Sequence, residues 1–473
     1  VSSEPRILVI GAGPTGLSAA WRLNEHGHGN WRVVEASGTA GGLASSVVDD
    51  AGFTWDLGGH VLFSHWRYFD DLMREALGDA WIEHEREAWV RMRDRWIPYP
   101  LQNNIWRLPP NDLMACLEGL VELHKNGSSA PGAARPAPSS FADWLQRAFG
   151  RGLCDVFMYP YNNKVWAYPP DRLGVGWMGE RVATVDLTRV LRNLVHQKDD
   201  VSWGPNATFR FPLHGGTGAI WRALADRLPA DRLTFNTRVM ALDTSAKRVH
   251  FADGSSDTYD FLISSMPLDL LLAAIDDIPQ LSAMADRFVC SASHIVGVGF
   301  EGQPPADLRT KCWMYFPEPD VPFYRATVFS NYSPNNVARP GEQWSLMAEV
   351  SESPVKPVHS ERVVDEVVEG FRRMGFIDTG TRIATRWHRR LPRGYPTPWL
   401  ERDDVLGEVL PQLEERSILS RGRFGAWRYE VSNQDHSSLQ GVEAVDRILI
   451  GTRETTVTGR MDVEPPSLAG ATR

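Results

Sequence analysis

The apolar positions of the chain begin with four in a row, Ile7-Leu8-Val9-Ile10, and stop at a glycine. A run that short and unbroken predicts a strand buried on both faces. Beyond it Ala19, Ala20 and Leu23 recur at helical spacing, and Trp31-Arg32-Val33-Val34 gives a second strand. Gly11, Gly13 and Gly16 lie between the first strand and the helix, and Glu35 closes the second strand, nineteen residues past Gly16. Strand, GxGxxG turn, helix, strand and acid in this order describe a dinucleotide site. Gly11 permits the tight turn, Gly13 leaves the backbone open to a pyrophosphate, and Gly16 lets the helix close on the strand. The helix N-terminus offers free N–H groups to phosphate, and Glu35 is placed to accept from ribose hydroxyls.

The pattern farther on predicts a layered molecule. Residues 53–57 alternate like a strand and run into Gly58-Gly59-His60, where two glycines free the backbone beside a histidine. Residues 66–77 have helical spacing, and 88–93 with 95–99 read as a hairpin. A helix follows over 112–125 with Asn111 as its cap, then a Gly/Ser/Ala/Pro loop over 126–140 with no catalytic role. Ser140 caps a helix over 141–149, and 153–158 and 187–196 continue the helical region. A helix at 220–228, strands at 233–235, 239–243 and 248–251, and a buried strand at 261–264 return the chain to the nucleotide sheet. From His294 the segments are strands, at 295–300, 313–316, 324–330 and 344–350, interleaved with helices at 363–374 and 403–416. Residues 447–450 read as a last buried strand and 465–473 as a loose tail. The fold class is α/β. A discontinuous Rossmann-type dinucleotide-binding domain (1–65, 204–266 and 425–473) carries a helical domain (100–203) and an antiparallel-sheet substrate domain (66–99 and 267–424).

Composition narrows the chemistry. A chain of 473 residues is long for one core. Its 59 acids outnumber 50 Lys and Arg, for a net charge of −9, which argues against a general nucleic-acid binder. Cys116, Cys154, Cys290 and Cys312 are scattered with no CxxC pair, as in a reduced cytoplasmic protein without structural zinc. Pro267 and Asp269 interrupt the longest apolar window, so it is too short to span a membrane, and glycines break the first apolar run, unlike a signal peptide. A second glycine pair, Gly41-Gly42, followed by Leu43-Ala44-Ser45, resembles FAD-binding flavoproteins of the amine oxidase and sugar mutase type, and favours FAD over NAD. Arg325 on an apolar strand and Arg181 in Gly179-Glu180-Arg181 sit in unusual company, and Tyr315, Tyr395 and Tyr429 flank charged or glycine-rich turns. If these converge they form an anion clamp, since Arg grips phosphate bidentately and Tyr adds a neutral donor.

Longer blocks carry a specific resemblance: 58–63 (GGHVLF), 161–166 (YNNKVW), 179–182 (GERV), 204–212 (GPNATFRFP), 322–334 (PFYRATVFSNYSP), 394–398 (GYPTP) and 421–437 (RGRFGAWRYEVSNQDHS). In these the chain resembles the UDP-galactopyranose mutases, and more their eukaryotic branch. The resemblance implies a redox-neutral ring contraction of a nucleotide-linked galactopyranose to galactofuranose, through a flavin N5–sugar adduct on reduced FAD. It implies NADPH or NADH as reductant and a nucleotide sugar as the partner. By position, Arg181, Arg325 and His60 match catalytic residues. Tyr315, Tyr395, Tyr429, Asn162, Trp166, Asn206, Phe63, Arg91, Tyr99, Gln102 and Phe157 match the substrate pocket. Gly11, Gly13, Gly16, Glu35, Gly42, Ser45, Gly58, Gly59, Val239, Asn433, Gln434 and His436 match the cofactor site. Four positions depart from the family pattern: Leu101 stands for Phe, Tyr159 for Arg, Asn163 for Tyr and Ser432 for Gly. The first three fall at the nucleotide end, which leaves UDP and GDP both open as the carrier. An FAD-dependent amine oxidase or desaturase is the alternative of a different class.

Overall fold

The computed structural model describes residues 4–127, 136–178, 185–201 and 207–459. The four apolar residues that open the chain form the centre of a five-stranded sheet. Ile7–Ile10 pairs in parallel with Phe261–Ser264 on one side and Trp31–Val34 on the other; Ile418–Ser420 and Leu233–Thr234 complete the edges. All pairings are parallel, so helices must cover both faces, and the central strand is buried at every position. Helix Pro14–Glu25 lies on one face, crossed closely by helix Gln434–Ile450. Small residues allow that approach: a Cβ on Gly441 would stand 2.1 Å from the Thr15 carbonyl oxygen. Ser18 bonds Ser438 at 2.6 Å, and Arg22 forks onto Asp446 at 2.7 and 3.0 Å.

The second layer is a seven-stranded sheet in the order Ile383–Pro396, Cys290–Glu301, Gln343–Glu352, Arg325–Val328, Trp313–Tyr315, Ala88–Met92, Arg95–Pro98. It is antiparallel except where Trp313–Tyr315 runs parallel to Ala88–Met92. Its long central strands carry Gly297 and Gly299, against which Trp55 and Phe53 lie flat; a Cβ at either glycine would come within 2.5 Å of a ring carbon. That contact anchors the strand Thr54–Asp56, and so brings the loop after it, Gly58-Gly59-His60, to the face of this sheet. Helices Pro110–Gly127, Phe141–Leu153 and Tyr159–Trp166 make an inserted layer whose apolar side joins the core of the seven-stranded sheet. Ser140 caps the second of these, accepting from the Asp143 N–H at 3.3 Å.

Several expectations change. Residues 447–450 are the last turn of helix Gln434–Ile450, not a strand, and Gly451 ends it in the left-handed conformation. Asn111 lies inside its helix, which starts at Pro110; proline is suited to a first turn because its missing N–H would be unpaired there. Ile418–Ser420 belongs to the parallel sheet, and helix Arg67–Leu77 packs on the nucleotide side against helix Gly218–Asp226, so both leave the segments assigned to the substrate sheet. Arg181, Asn206 and the 465–473 tail lie outside the described residues.

Candidate functional site

A cavity of about 760 Å3 runs from the glycine turn of the parallel sheet to the face of the antiparallel sheet. At the first end the turn is built as the spacing requires. Gly11 sits at φ +100°, and a Cβ on Gly16 would lie 1.8 Å from the Gly11 carbonyl oxygen, so no other residue lets helix and strand meet. Gly13 differs: a Cβ there meets protein atoms only at 3.7 Å or beyond, and what its missing side chain keeps clear is the cavity. Glu35 Oε2 accepts from the Ala12 N–H at 2.8 Å and Oε1 from the Ser37 N–H at 2.7 Å, which fixes the carboxylate at the cavity wall with one acceptor site left on each oxygen. Gly41 and Gly42, both at positive φ, fold the second turn over the first through a 2.8 Å bond from the Gly41 N–H to the Ala12 carbonyl.

The middle of the cavity is the His60 loop. Gly58 adopts φ +138°, and its carbonyl accepts from the His60 N–H at 2.8 Å. Burial pushes the His60 imidazole down to about 4, with Arg423 and Arg325 adding to the fall and Glu349 opposing it, so the ring is neutral. Its Nδ1 is buried and has no hydrogen-bond partner among the described residues; Asp56 is 3.9 Å away. Gln434 is alike: Oε1 accepts from Trp221 Nε1 at 2.8 Å, which orients the amide, and its Nε2 is a buried donor lining the cavity without a partner among the described residues. A phosphate turn, an open Gly13, a ribose-side acid and two orphaned polar atoms fit a flavin dinucleotide.

The far end is cationic and phenolic. Arg325 and Glu349 face each other across neighbouring strands. Arg325 Nε and Nη2 donate to the two carboxylate oxygens at 2.7 and 2.8 Å, which holds the guanidinium plane and leaves Nη1 unspoken for by Glu349. The Tyr324 hydroxyl donates to Glu349 at 2.6 Å and lies 3.2 Å from the Tyr395 hydroxyl. Arg423 lies over the rings of Tyr395 and Tyr429, 5.0 and 5.8 Å from their centroids, and donates to Ser432 Oγ at 2.9 Å. The residue that departs from the family pattern at 432 thus supplies a hydroxyl that seats a cavity arginine. Burial raises the Tyr395 phenol, so it stays a neutral donor.

Of the positions expected in the site, Gly11, Gly13, Glu35, Gly42, Gly58, Gly59, His60, Phe63, Val239, Tyr315, Arg325, Tyr395, Tyr429, Asn433 and Gln434 line this one cavity. Gly16 and Ser45 stand behind its wall, and His436 turns away to Asp435 at 3.0 Å. Tyr99, Trp166 and Phe157 form a layer behind the lining. Tyr99 packs on Tyr315, Trp166 on Tyr395 and Tyr429, and Phe157 stacks on Tyr161, which meets Tyr315. Asn162 donates to the Met158 carbonyl at 2.8 Å within its helix, and Gln102 is buried in the turn Leu101–Asn103. Arg91 points away, toward Asp94 and the Trp96 ring; Arg86, between Phe63 and Trp313, lines the cavity instead. Glu349, Arg423 and Arg86 were not anticipated. An acid inside the apolar run Ser345-Leu346-Met347-Ala348-Glu349-Val350 is the signal for the first, parallel to the arginine on its own apolar strand.

Residues 14–406 match the model of the flavin-containing amine oxidoreductase family. A solved structure of reduced UDP-galactopyranose mutase is 48% identical, covers 96% of each chain and superposes with a TM-score of 0.92. Mitochondrial protoporphyrinogen oxidase of Nicotiana tabacum is 27% identical over 288 residues, 56% of this chain and 55% of its own. Protoporphyrinogen oxidase 2 of Arabidopsis thaliana is 28% identical over 183 residues, 37% of this chain and 35% of its own. The chain therefore spans about half or less of the length of these curated relatives. A putative protoporphyrinogen oxidase from Exiguobacterium, 16% identical with a TM-score of 0.69, shares the fold alone.

Proposed function

The chain belongs to the flavin-containing amine oxidoreductases and, within them, to the UDP-galactopyranose mutases, and from that premise we propose that it interconverts UDP-galactopyranose and UDP-galactofuranose with no net redox change. Its cofactor is FAD. The observation that carries the reading is convergence: Arg325, Tyr315, Tyr395, Tyr429 and the His60 loop line one cavity continuous with the dinucleotide turn. A hydride-transferring amine oxidase wants an apolar substrate tunnel, and Arg86, Arg325 and Arg423 make this end cationic.

Gly11, Gly13 and the N-terminus of helix Pro14–Glu25 would hold the pyrophosphate of FAD, Glu35 its ribose, and Gly58, Gly59, His60, Asn433 and Gln434 the flavin end. The chemistry that reduced FAD supplies when bound is a nucleophile for the anomeric carbon, which frees the sugar from the diphosphate without net oxidation. Everything else falls to side chains. Arg325, kept ionised by Glu349, meets the charge that grows on the departing diphosphate, and the phenols of Tyr315, Tyr395 and Tyr429 add neutral donors. They also keep the nucleotide close for its return. Arg181 and Asn206 join this group on the resemblance. His60 is neutral, so it orients by hydrogen bonding and adds no charge.

UDP is the carrier we propose. The purine alternative needs a slot widened at Leu101, but Leu101 is fully buried in the core of the inserted helices, and the Tyr159 hydroxyl donates to the Ala142 carbonyl at 3.1 Å. NADPH or NADH is the proposed reductant and the cytoplasm the proposed compartment, the latter supported by four free cysteines, three of them buried. Incubating dithionite-reduced protein with UDP-galactofuranose and separating the sugars tests the reading. Conversion to the pyranose by reduced protein alone is the expected result; stoichiometric consumption of reductant per product would return the chain to the oxidoreductases.

A further inference from the structure

Outside the cavity, the start of helix Gln434–Ile450 meets the loop that precedes helix Arg67–Leu77. Three side chains converge there, His65 from the loop and Asp435 and His436 from the helix. Asp435 is fully buried and His436 nearly so, while His65 reaches the surface. None of the three lines the cavity. Asp435 holds one ring on each oxygen: Oδ2 bonds His65 Nδ1 at 2.6 Å and Oδ1 bonds His436 Nδ1 at 3.0 Å. The two ring centroids stand 4.9 Å apart, and Trp66 meets His436 edge-on at 5.2 Å. One nitrogen of each ring and one carboxylate oxygen all lie within 4.8 Å of one another.

The helix accounts for only part of this. Asp435 lies in its first turn, where an acid offsets the positive end of the helix, and Oδ1 accepts from the His436 N–H at 2.8 Å. That role explains the acid. It does not explain an imidazole from a separate segment aimed at the same carboxylate beside a second imidazole.

The donor set sorts the ligand. Mg2+ and Ca2+ want shells of oxygen, whereas two imidazoles and a carboxylate suit a borderline transition ion. Zn2+ takes such ligands at about 2.0–2.2 Å, which in a tetrahedron sets the ligand atoms about 3.4 Å apart. The three side chains are thus close to ligating distance before any ion binds. His65 has the room to close the remainder, since its side chain is 35% exposed. Coordination through Nδ1 moves the proton of a neutral ring to Nε2, so the ion replaces the Nδ1 bonds to Asp435. A water entering from the side of His65 supplies the fourth ligand.

We propose that His65, Asp435 and His436 form a Zn2+ site that clamps the loop to the helix. Both ends of the clamp adjoin the cavity wall: Phe63, two residues before His65, and Gln434, next to Asp435, line it. A site of imidazole and carboxylate leaves no CxxC in the sequence. The clamp needs the fold alone and not the mutase reaction.

The test titrates Zn2+ by calorimetry into FAD-loaded protein stripped with EDTA, and follows its Tm. Wild type is expected to bind one Zn2+ per chain and to gain Tm as free Zn2+ rises. His65→Ala changes an exposed residue and is expected to weaken Zn2+ by about tenfold or more and to lose the gain in Tm. Asp435→Asn keeps the shape without the charge and is expected to do the same; if it does not fold, His65→Ala decides alone. His359→Ala removes an exposed imidazole elsewhere and is expected to keep the wild-type Kd and Tm gain. Mg2+ in place of Zn2+ is expected to leave Tm unmoved. Wild type that binds no Zn2+, or one Zn2+ bound with unchanged Kd in His65→Ala, overturns the site. Zn2+ that depends on His65 but leaves Tm unmoved overturns the clamp. The mutase reading stands or falls separately, on the sugar conversion.

Discussion

Arg325 and Glu349 show what one residue does in this site and what one residue can be tested for. Removing the guanidinium leaves a buried carboxylate facing a tyrosine hydroxyl and a peptide N–H alone. Arg325→Ala is therefore expected to weaken UDP binding and also to lower stability by about 3–5 kcal/mol, the usual loss when one partner of a buried pair is deleted. Denaturant unfolding beside a UDP titration checks both, and Arg325→Lys should recover part of each, since an ammonium restores charge without the planar fork. Unchanged binding in both variants would remove Arg325 from the clamp. His60 carries a second expectation. With its imidazole down at about 4, it contributes no titration between pH 5 and 8. The pH profile of kcat/KM for the reduced enzyme should show no break near 6.5 that disappears in His60→Asn. Arg325 was visible in the sequence because a cation on an apolar strand is conspicuous. Its pairing with Glu349 was not, because cross-strand register is set by contacts that no local pattern records. The same blindness put Arg91 where Arg86 stands: both precede or follow Ala88-Trp89-Val90, and only the packing of the hairpin decides which one faces the cavity.

At the scale of an element, the glycine turn separates two effects that sequence motifs combine. Gly16→Ala drives a methyl into the Gly11 carbonyl, 1.8 Å away, and is expected to destabilise the apoprotein by about 1–3 kcal/mol or more. Gly13→Ala has room among protein atoms and fills cavity instead, so its apoprotein should melt like wild type while FAD binding falls at least tenfold. Calorimetry of the apoproteins and flavin titration distinguish the two; equal Tm losses would show that Gly13 is also a packing glycine. This first turn was legible because each part of it has a local cause. Helix Gln434–Ile450 was not. Residues from Asp435 to Asp446 are buried on every side, many of them polar: Gln440 bonds the Val431 carbonyl and the Gly422 N–H, and Glu443 takes Thr455 and Thr456. A helix without a polar face leaves no amphipathic stripe to read, and its last residues, Ile448-Leu449-Ile450, mimic a strand.

Across the whole molecule, Asp56 joins the layers, and it makes stability depend on pH. Its carboxylate is fully buried, accepts from Ser46 Oγ at 2.5 Å and from Thr217 Oγ1 at 2.7 Å, and is pushed up to about 6 by loss of water. A folded value above the unfolded one means the fold holds the extra proton. The contribution is complete below about 3.8 and is lost as pH rises through about 6. Asp56 alone should lower stability by about 3 kcal/mol across that window, and Asp56→Asn should flatten the dependence in urea unfolding at pH 4 to 7. A variant with the wild-type slope would place the titration elsewhere.

The clasp of helix Gln434–Ile450 on helix Pro14–Glu25 has a consequence for how the protein is made. The phosphate turn lies far ahead in the chain of the parts that complete it: its helix meets helix Gly218–Asp226 earlier, but its main cover, residues 434–450, and the edge strand Ile418–Ser420 leave the ribosome long afterwards. A nascent chain therefore carries an unfinished nucleotide site until those residues emerge, and capture of FAD follows the emergence of helix Gln434–Ile450. Riboflavin-starved cells should accumulate full-length apoprotein that accepts flavin later, and chains released before residue 434 should be cleared by proteolysis whether or not flavin is abundant.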